Sequence, residues 1–383
     1  MTSQSYQEVG VRHRRFLHQN PELGREEFIT SDYCKNEFIR LGYKVTPCFE
    51  TGFYADLTVA SDLPTVAFRA DMDALPAQEA PGEVVCSKKP GAAHLCGHDL
   101  HMAIGLTAAA IMVQHRSTLR ANLRFLFQPS EEMFRGGAQG MIDQGCLEGV
   151  SQVFGLHNDP QFDCGKIMIR EGVMSSNGDQ FKLTIEGKSA HASAPHLGQD
   201  ALSEAVRLLN AFKAIVTDRV DPNQTALIST CMLTAGEAPN ILARKAVLEG
   251  SIRSFNAGVH QTLKEHFLEE TEYTRRRGFN VTLEMRGYPA INNHTRETQQ
   301  VIEQAGALLG AENVVTDASP MVGSEDFSLF IENTPGAFFF LGSGDHARGI
   351  NNPLHSNPFI ANEACIILGA QIFARLVGVR LEA

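Results

Sequence analysis

Short apolar runs alternate with helical segments along most of the 383-residue chain, and this alternation restricts the possible folds more than any other feature. The run TVAFRADMD, which ends at Asp73, is almost wholly apolar, as expected for a strand covered on both faces of a sheet. NLRFLFQ and SQVFGLH are further strand candidates of this kind. The alternation predicts an α/β domain with a mixed, largely parallel sheet and helices on both faces.

The segment from residue 179 to 290 has a different pattern. FKLTIEG alternates apolar and polar residues with a period of two, which is typical of a half-exposed strand. A helix, two strands, a helix and a strand follow it, an order that predicts an inserted βαββαβ unit of the ferredoxin-like kind. We therefore expect one domain formed by residues 1–178 and 291–383, with residues 179–290 inserted into it as a second domain.

Composition and charge argue against several classes of protein. Lys and Arg total 33 against 44 Asp and Glu, a net charge of −11, which disfavours nucleic-acid and anionic-membrane partners. No apolar run approaches the ~20 residues that span a bilayer, and the N-terminus lacks the apolar core of a signal peptide. The eight cysteines follow no framework spacing and predict reduced thiols. We expect a cytoplasmic protein.

The densest cluster of chemically active side chains is HLCGHDLH, residues 94–101. Cys96 and His98 lie on a predicted turn before a long apolar helix, for which Asp99 is the expected N-cap. A thiolate and an imidazole at this spacing can reach one metal ion, and the helix N-terminus favours the thiolate. The alternative is a buried cysteine beside surface histidines.

Further candidate ligands lie at or beyond the C-terminal ends of predicted strands: Asp71, Asp73, Glu131, Glu132, His157 and His355. Open α/β sheets bring such positions to one edge. Two adjacent glutamates after an apolar strand allow one to bind a metal while its neighbour faces the substrate, although a solvated charged loop is the alternative. The mixture of sulfur, imidazole and carboxylate donors suits Zn²⁺, with Mn²⁺, Co²⁺ or Ni²⁺ as rivals.

Taken in order, these motifs resemble the signature set of the M20 family of metallopeptidases. The matching blocks are Asp71-Met72-Asp73, Cys96-Gly97-His98-Asp99, Pro129-Ser130-Glu131-Glu132, Gly155-Leu156-His157 and Gly323-Ser324-Glu325-Asp326-Phe327. Within the family, the chain resembles the amidohydrolase branch of hippurate hydrolases, N-acyl-amino-acid deacylases and auxin-conjugate hydrolases. The resemblance runs along nearly the whole chain. It implies that residues 1–178 and 291–383 form a catalytic metal-binding domain and that residues 179–290 form a dimerisation or lid domain.

The resemblance implies two divalent metal ions per subunit. Cys96 would be shared by both ions. Glu132 and His355 would complete the ligands of one ion, and His98 and His157 those of the other. Zn²⁺ or Mn²⁺ is expected, with Co²⁺ or Ni²⁺ as alternatives.

The resemblance also implies roles for residues that do not bind metal. Glu131 would be the general base, and Asp73 the acid that orients the site. In the inserted domain, His191 would polarise the substrate carbonyl, often across a dimer interface, and Asn240 and Arg253 would contact the carboxylate end of the substrate. From the residues alone, Arg253 could equally pair with an acid on its own domain.

The predicted function is metal-dependent hydrolysis of the amide bond of N-acyl-amino acids, with water activated by a binuclear centre and Glu131 as general base. The expected partners are a small-molecule substrate and a second copy of the chain, bound through the inserted domain. A dipeptidase or aminopeptidase of the same superfamily is the main alternative, and a non-catalytic binding protein a further one. Residues 80–89 and the pair His94-Leu95 depart from the family pattern, which leaves the substrate open.

Overall fold

The computed structural model describes residues 2–81, 85–133 and 136–381. The chain divides into two compact units. Unit 1 consists of Met1–Met174, Asn292–Ser319 and Asp326–Ala383, and unit 2 of Ser175–Ile291 and Pro320–Glu325. The predicted insertion, residues 179–290, falls within the first segment of unit 2. The second segment, Pro320–Glu325, had been assigned from the sequence to the first domain.

The helices and strands are numbered in chain order. The helices are α1 (Ser3–Gln19), α2 (Phe28–Arg40), α3 (His98–Gln114), α4 (Gly137–Asp143), α5 (Ala201–Arg219), α6 (Ala257–Arg276), α7 (Thr295–Leu309), α8 (Phe327–Asn333) and α9 (Cys365–Leu376). The strands are β1 (Lys44–Pro47), β2 (Phe53–Leu57), β3 (Thr65–Asp71), β4 (Asn122–Gln128), β5 (Val150–Asp163), β6 (Ile167–Met168), β7 (Gly172–Val173), β8 (Asn177–Glu186), β9 (Ala226–Ala235), β10 (Lys245–Ser254), β11 (Asn280–Tyr288), β12 (Asn292–Asn293), β13 (Val314–Val315) and β14 (Gly336–Gly344). Among the described helices, we find none with the length and apolar character needed to cross a membrane.

The main sheet of unit 1 has the strand order β1-β2-β4-β3-β5-β14-β6-β13. Its centre, β4-β3-β5-β14, is parallel, while β1, β2 and β6 run antiparallel to neighbours. Asp71, the last residue of β3, pairs with Gln128, the last of β4. The carboxyl ends of the central strands therefore share one edge, and the prediction of a mixed, largely parallel sheet is confirmed.

Helices cover both faces of this sheet, as predicted. Phe338 and Phe339 are consecutive in β14 and so point to opposite faces. The ring of Phe338 lies 5.1 Å from that of Phe327 in α8, and the ring of Phe339 lies 6.1 Å from that of Phe373 in α9. Coverage on both sides explains why β14 is buried along its whole length.

Helix α3 is buried along almost its entire length, which accounts for its nearly uniform apolar sequence. It begins at His98, after Gly97, so the prediction of Asp99 as its N-cap is wrong. The Asp99 carboxylate instead accepts hydrogen bonds from Nε of Arg14 at 2.9 Å and Nδ1 of His18 at 3.0 Å. The backbone of Gly97 has φ = +97°, and this left-handed turn starts the helix earlier than the cap pattern indicated.

Unit 2 contains a four-stranded antiparallel sheet of order β11-β8-β10-β9. In chain order its main elements are β8, α5, β9, β10, α6 and β11. Phe181, Phe212 and Phe267 join the sheet to the two helices in one apolar core. The predicted βαββαβ unit is therefore confirmed, and it leaves β9 as an edge strand.

The chain leaves unit 1 and returns to it at adjacent positions. Strands β7 and β12 form a small antiparallel pair in which Asn292 lies opposite Val173 and Asn293 opposite Gly172. The side-chain amide of Asn293 also donates to the backbone carbonyls of Arg170 and Phe338. The two ends of the insertion are thus fastened side by side within unit 1.

Candidate metal centre

The residues predicted to bind metal meet beyond the carboxyl ends of β3 and β4. His157 lies level with these ends but within β5, because this strand does not end at His157 as the sequence indicated and continues to Asp163. One ligand atom each from Cys96, His98 and His157 lie within 4.8 Å of one another, and so do those of Cys96, Glu132 and His355. Cys96 belongs to both groups, so its sulfur lies between two sets of donors. The side chains of Cys96, His98 and His157 are buried, whereas His355 is exposed.

The residue that follows Cys96 in its loop has to be a glycine. Besides its positive φ, Gly97 lies so close to Asn158 that an added Cβ would overlap the Asn158 amide. Burial and the carboxylates of Glu132 and Glu131 raise the pKa of the Cys96 thiol well above its usual value. A thiolate at this position therefore requires a nearby cation, which fits a metal ligand.

Two backbone carbonyls fix the ring orientation of His98 and His157. Nδ1 of His98 donates to the carbonyl oxygen of Asp73 at 2.8 Å, and Nδ1 of His157 donates to that of Asn158 at 2.7 Å. With Nδ1 engaged in this way, Nε2 is the atom that each ring can offer to a metal. Nε2 of His98 is buried without a hydrogen-bond partner, and Nε2 of His157 lies 3.3 Å from Sγ of Cys96.

The electrostatics of these two histidines differ. Burial, reinforced by the neighbouring His101, lowers the pKa of His157 to about 3, which keeps that ring neutral. Burial also lowers the pKa of His98, but the carboxylates of Asp71 and Asp73 outweigh it and raise the pKa to about 10. The centre thus carries an excess of negative charge that a metal cation would offset in place of a proton.

Asp73 holds the turn that carries the two glutamates. Its two carboxylate oxygens accept the backbone N–H groups of Glu131 and Glu132, each at 2.9 Å. The preceding residue, Ser130, has φ = +60°, an uncommon conformation for a residue with a side chain, and its N–H donates to Glu27 at 2.8 Å. Two carboxylates therefore stabilise a strained turn beside the centre.

His355 joins the centre from a second strained turn. Its backbone has φ = +65°, and its N–H donates to the carbonyl of Leu95 at 2.8 Å. Nε2 lies 3.0 Å from Oε1 of Glu132, and this contact raises the pKa of His355. Burial raises the pKa of Glu132, but the hydrogen bond with His355 and the nearby charges of His98 and His355 together outweigh it, and the pKa lies below its usual value. Glu132 is therefore ionised.

A third group of donors, Asp71, His98 and His101, also lies within 4.8 Å. Asp71 is committed to Arg69, whose guanidinium contacts it at 2.6 Å. The backbone N–H of Asn158 donates to Nε2 of His101 at 3.0 Å, so Nδ1 carries the proton and donates to Asp71 at 2.6 Å. Because His101 has no lone pair left, we interpret this group as support for the metal centre.

A buried polar network behind the centre was missed in the sequence. Arg69 contacts Asp326 at 3.0 Å, and the amide of Gln128 donates to both carboxylate oxygens of Asp326 at 2.8 and 2.7 Å. All three side chains are buried. One signal was present, since Arg69 stands in the middle of an apolar strand, and a buried arginine requires a carboxylate.

The predicted substrate contacts belong to unit 2. The backbone N–H of Ser193 donates to Nδ1 of His191 at 3.2 Å, and the Ala192 N–H donates to the carbonyl of Asn240 at 3.0 Å. The guanidinium of Arg253 donates to the carbonyl of Val322 at 3.0 Å. Within the part of the chain that the structure describes, no carboxylate pairs with Arg253.

Comparison with known proteins gives the same family. The model of Peptidase family M20/M25/M40 matches residues 67–378. The N-acetyl-L-cysteine deacetylase of Bacillus subtilis is 36% identical over 94% of this chain and 84% of its own length. Thermostable carboxypeptidase 2 of Saccharolobus solfataricus is 33% identical over 95% of this chain and 93% of its own. The IAA-amino acid hydrolase ILR1-like 4 of Arabidopsis thaliana is 34% identical over 96% and 84%.

A solved structure supports the metal centre at the level of the fold. The YXEP protein of Bacillus subtilis, a dinuclear metal binding peptidase from the M20 family, superposes with a TM-score of 0.81 at 28% identity, covering 99% of each chain. The expected family, its α/β fold and its amidohydrolase relatives are thus all found. We conclude that the chain belongs to Peptidase family M20/M25/M40 and is a metal-dependent amidohydrolase.

Proposed function

We propose that this enzyme hydrolyses the amide bond of N-acylated amino acids. The observation that carries the proposal is the position of Glu131. Its carboxylate lies within 4.8 Å of ligand atoms of His98 and Glu132, yet it belongs to neither of the two groups around Cys96. A carboxylate beside a metal centre and outside its ligand set is suited to proton transfer.

We propose that Cys96 is shared by two divalent ions, that Glu132 and His355 bind one, and that His98 and His157 bind the other. Free Nε2 atoms, an ionised carboxylate and a sulfur that needs a cation support this assignment. The mixed donors favour Zn²⁺ or Mn²⁺, with Co²⁺ or Ni²⁺ as alternatives. When bound, the metals supply Lewis acidity and lower the pKa of water.

Each protein group then has a defined task. Glu131 takes a proton from the attacking water and returns it to the leaving amine nitrogen. Asp73 keeps Glu131 and Glu132 in place through their backbone N–H groups. His191, whose Nδ1 accepts a backbone hydrogen bond, carries its proton on Nε2 and can donate it to the substrate carbonyl oxygen.

The amino-acid part of the substrate supplies a carboxylate, and Arg253 is suited to bind it. Its guanidinium is half-buried and has no acidic partner among the described residues, so an incoming carboxylate would meet an uncompensated charge. We assign Asn240, which is exposed and adjoins His191 through the Ala192 N–H, to the same end of the substrate. The names of two relatives, an N-acetyl-L-cysteine deacetylase and an IAA-amino acid hydrolase, support this substrate class.

A peptidase activity is the second candidate, favoured by the relative named thermostable carboxypeptidase 2. The two candidates differ in what they accept on the α-nitrogen. An N-acyl-amino-acid hydrolase should cleave N-acetyl, N-benzoyl and indole-acetyl amino acids, whereas a dipeptidase or aminopeptidase requires a free α-amino group. Comparing kcat/KM for these acyl compounds with that for free dipeptides of the same C-terminal residue separates them.

Chelation tests the metal requirement in the same assay. We expect EDTA to abolish cleavage and one of Zn²⁺, Mn²⁺, Co²⁺ or Ni²⁺ to restore it, because the ligands alone cannot activate water. Cleavage that continues at full rate in the metal-free enzyme would overturn the mechanism. A preference for free dipeptides would overturn the substrate assignment and leave the metal centre standing.

We propose that two copies associate through unit 2. The edge strand β9 exposes Leu227, Met232 and Leu233 by 38%, 56% and 38%, and α5 exposes Leu202 and Val206 by 41% and 45%. An apolar edge strand is prone to pair with another chain unless it is covered. The cytoplasmic location stays a prediction from the cysteine pattern.

A further inference from the structure

Three arginines line a cavity of about 300 Å³ in unit 1, near the end of β4 that is opposite to the metal centre. Arg120 lies just before β4, whereas the catalytic glutamates follow the other end of that strand. Arg375 and Arg380 lie at and beyond the end of α9. Two side-chain amides of α7, those of Gln300 and Gln304, line the cavity as well.

Among the described residues, positive charges outnumber negative ones in the lining of this cavity. Glu303 is the one acidic residue that lines it. Across residues 2–81, 85–133 and 136–381, none of the three guanidinium groups forms an ion pair with a carboxylate. Burial lowers the pKa of Arg375, and the nearby positive charge of Arg380 lowers it further. Uncompensated cations are unusual in a chain whose net charge is −11.

Arg120 is held in position by its neighbours. Its backbone N–H donates to the carbonyl of Val377 at 3.0 Å, which ties the segment before β4 to the end of α9. Gly378 has φ = +94°, and a Cβ there would lie 3.0 and 3.1 Å from Cγ and Cδ of Arg120. The side-chain stem of Arg120 therefore lies across a glycine that leaves room for it.

The end of α9 gives a partial alternative explanation. Helix C-termini carry a partial negative charge that favours cations, which accounts for Arg375 and Arg380. It does not account for Arg120, which comes from another segment, or for the amides of Gln300 and Gln304 on α7. Donors from three separate parts of the chain point to a ligand with several acceptor oxygens.

We propose that this cavity binds a tetrahedral oxyanion, either inorganic phosphate or the phosphate group of a small phosphomonoester. Guanidinium groups form short, charge-assisted hydrogen bonds to phosphate oxygens, and the amides supply further donors. A cavity of about 300 Å³ is at the lower end of the range for small-molecule sites, so it suits a phosphate with at most a short organic group. The site is separate from the metal centre and does not depend on the substrate proposed above.

Isothermal titration calorimetry on the metal-loaded enzyme tests this site, with inorganic phosphate in one arm and glycerol 3-phosphate in the other. Ionic strength is held constant with sodium chloride. The double variant Arg120→Gln/Arg380→Gln should bind at least about tenfold more weakly than the wild type, because it loses two charged donors. The control Arg296→Gln removes one positive charge, as each single variant does, from an exposed position of α7 outside the cavity and should bind as the wild type does.

The two arms identify the ligand. Tighter binding of glycerol 3-phosphate assigns the site to phosphomonoesters, and equal or tighter binding of phosphate assigns it to the free ion. Phosphate bound at the metal centre would be unaffected by the double variant, so equal affinity of wild type and double variant would overturn the proposal. The single variants Arg120→Gln and Arg380→Gln, each with an intermediate loss expected, serve if the double variant does not fold.

Discussion

Glu131 and Glu132 are adjacent residues whose surroundings differ. Glu132 is hydrogen-bonded to His355, and its carboxylate lies within 4.8 Å of the ligand atoms of Cys96 and His355. Glu131 belongs to neither of the two sets of candidate ligands that contain Cys96. Asp73 holds the backbone of both. Two chemically identical side chains can therefore be assigned to metal binding and to proton transfer.

We expect Glu131→Gln to keep its metal content and to lose about 10²–10⁴-fold in kcat, the range typical of a general base. The reason is that the amide has nearly the same shape but cannot accept the proton. The measurement pairs metal analysis with turnover of an N-acetyl amino acid. Glu132→Gln is the matched control and should lose metal. A Glu131→Gln enzyme with undiminished turnover would show that another group is the base.

His18 is a second residue whose protonation has a measurable effect. It is buried, with Nε2 2.9 Å from Glu79 and Nδ1 3.0 Å from Asp99. Burial lowers its pKa, but these carboxylates outweigh burial and raise the pKa to about 9. Because this value lies above that of the unfolded chain, the resulting stability is complete below about pH 6.5 and is lost as pH rises through about 9.

We therefore expect the metal-free protein to lose on the order of 3 kcal/mol of stability from this residue between about pH 6.5 and 9.5. Urea denaturation at several pH values measures it. His18→Asn should show a shallower decline, while His98, whose pKa is also raised, accounts for a remaining slope. An identical pH dependence in the variant would mean that His18 is not charged in the folded protein.

The sequence predicted the donors of the centre better than the groups that support them. Cys96 and His98 stand in one short motif before a helix and the two glutamates in another after a strand, so the local sequence was enough to single them out. Glu27 and Asp326 contact the site through partners far away in the chain, and such pairs leave no periodic pattern. Arg69 was missed as well, although its charge stands out within an apolar strand.

At the scale of elements, the start of α3 decides the geometry of the centre. Cys96 precedes the helix and His98 begins it, so both depend on the left-handed turn at Gly97. The cap pattern in the sequence favoured Asp99 because a carboxylate before an apolar helix is a common N-cap. The competing interactions, with Arg14 and His18, come from α1 and could not be seen from the local sequence.

Gly97→Ala should destabilise the protein by more than about 2 kcal/mol and lower its metal content. The substitution combines an unfavourable φ with overlap between Cβ and Asn158. Gly91→Ala is the control, because Gly91 has φ = +79° but no atom within 4 Å of an added Cβ. It should cost about 1 kcal/mol and keep the metal. Equal urea midpoints for the two variants would contradict this account.

At the scale of the whole molecule, the inserted unit was predicted from its change of hydrophobic period. Periodicity indicated its six elements in order, and the central strands β8 and β10 do alternate buried and more exposed residues over much of their length. The segment Pro320–Glu325 was missed. It contains no strand or helix long enough to have a period, and its assignment to unit 2 follows from contacts such as that between Met321 and Ser175.

The proposed dimer predicts that one charge on β9 separates the subunits. Met232→Asp introduces a carboxylate at a 56% exposed position of the edge strand, and burying it against a second copy would be unfavourable. Sedimentation equilibrium should therefore show dimers for the wild type and monomers for the variant. Leu268→Asp, at a 46% exposed position of α6, is the control and should stay dimeric. A monomeric wild type, or a dimeric Met232→Asp protein, would refute the interface.

Residues 175–291 lie between the paired strands β7 and β12, and this arrangement affects the order in which parts of the molecule can fold. Ribosomal synthesis delivers residues 175–291 without interruption, before β14 and His355 exist. The four strands and two helices of unit 2 can therefore assemble while the larger sheet still lacks β14, one of the two strands that pair with β5. The last of the proposed metal ligands to leave the ribosome is His355, so metal capture by the full set comes after the inserted unit is complete.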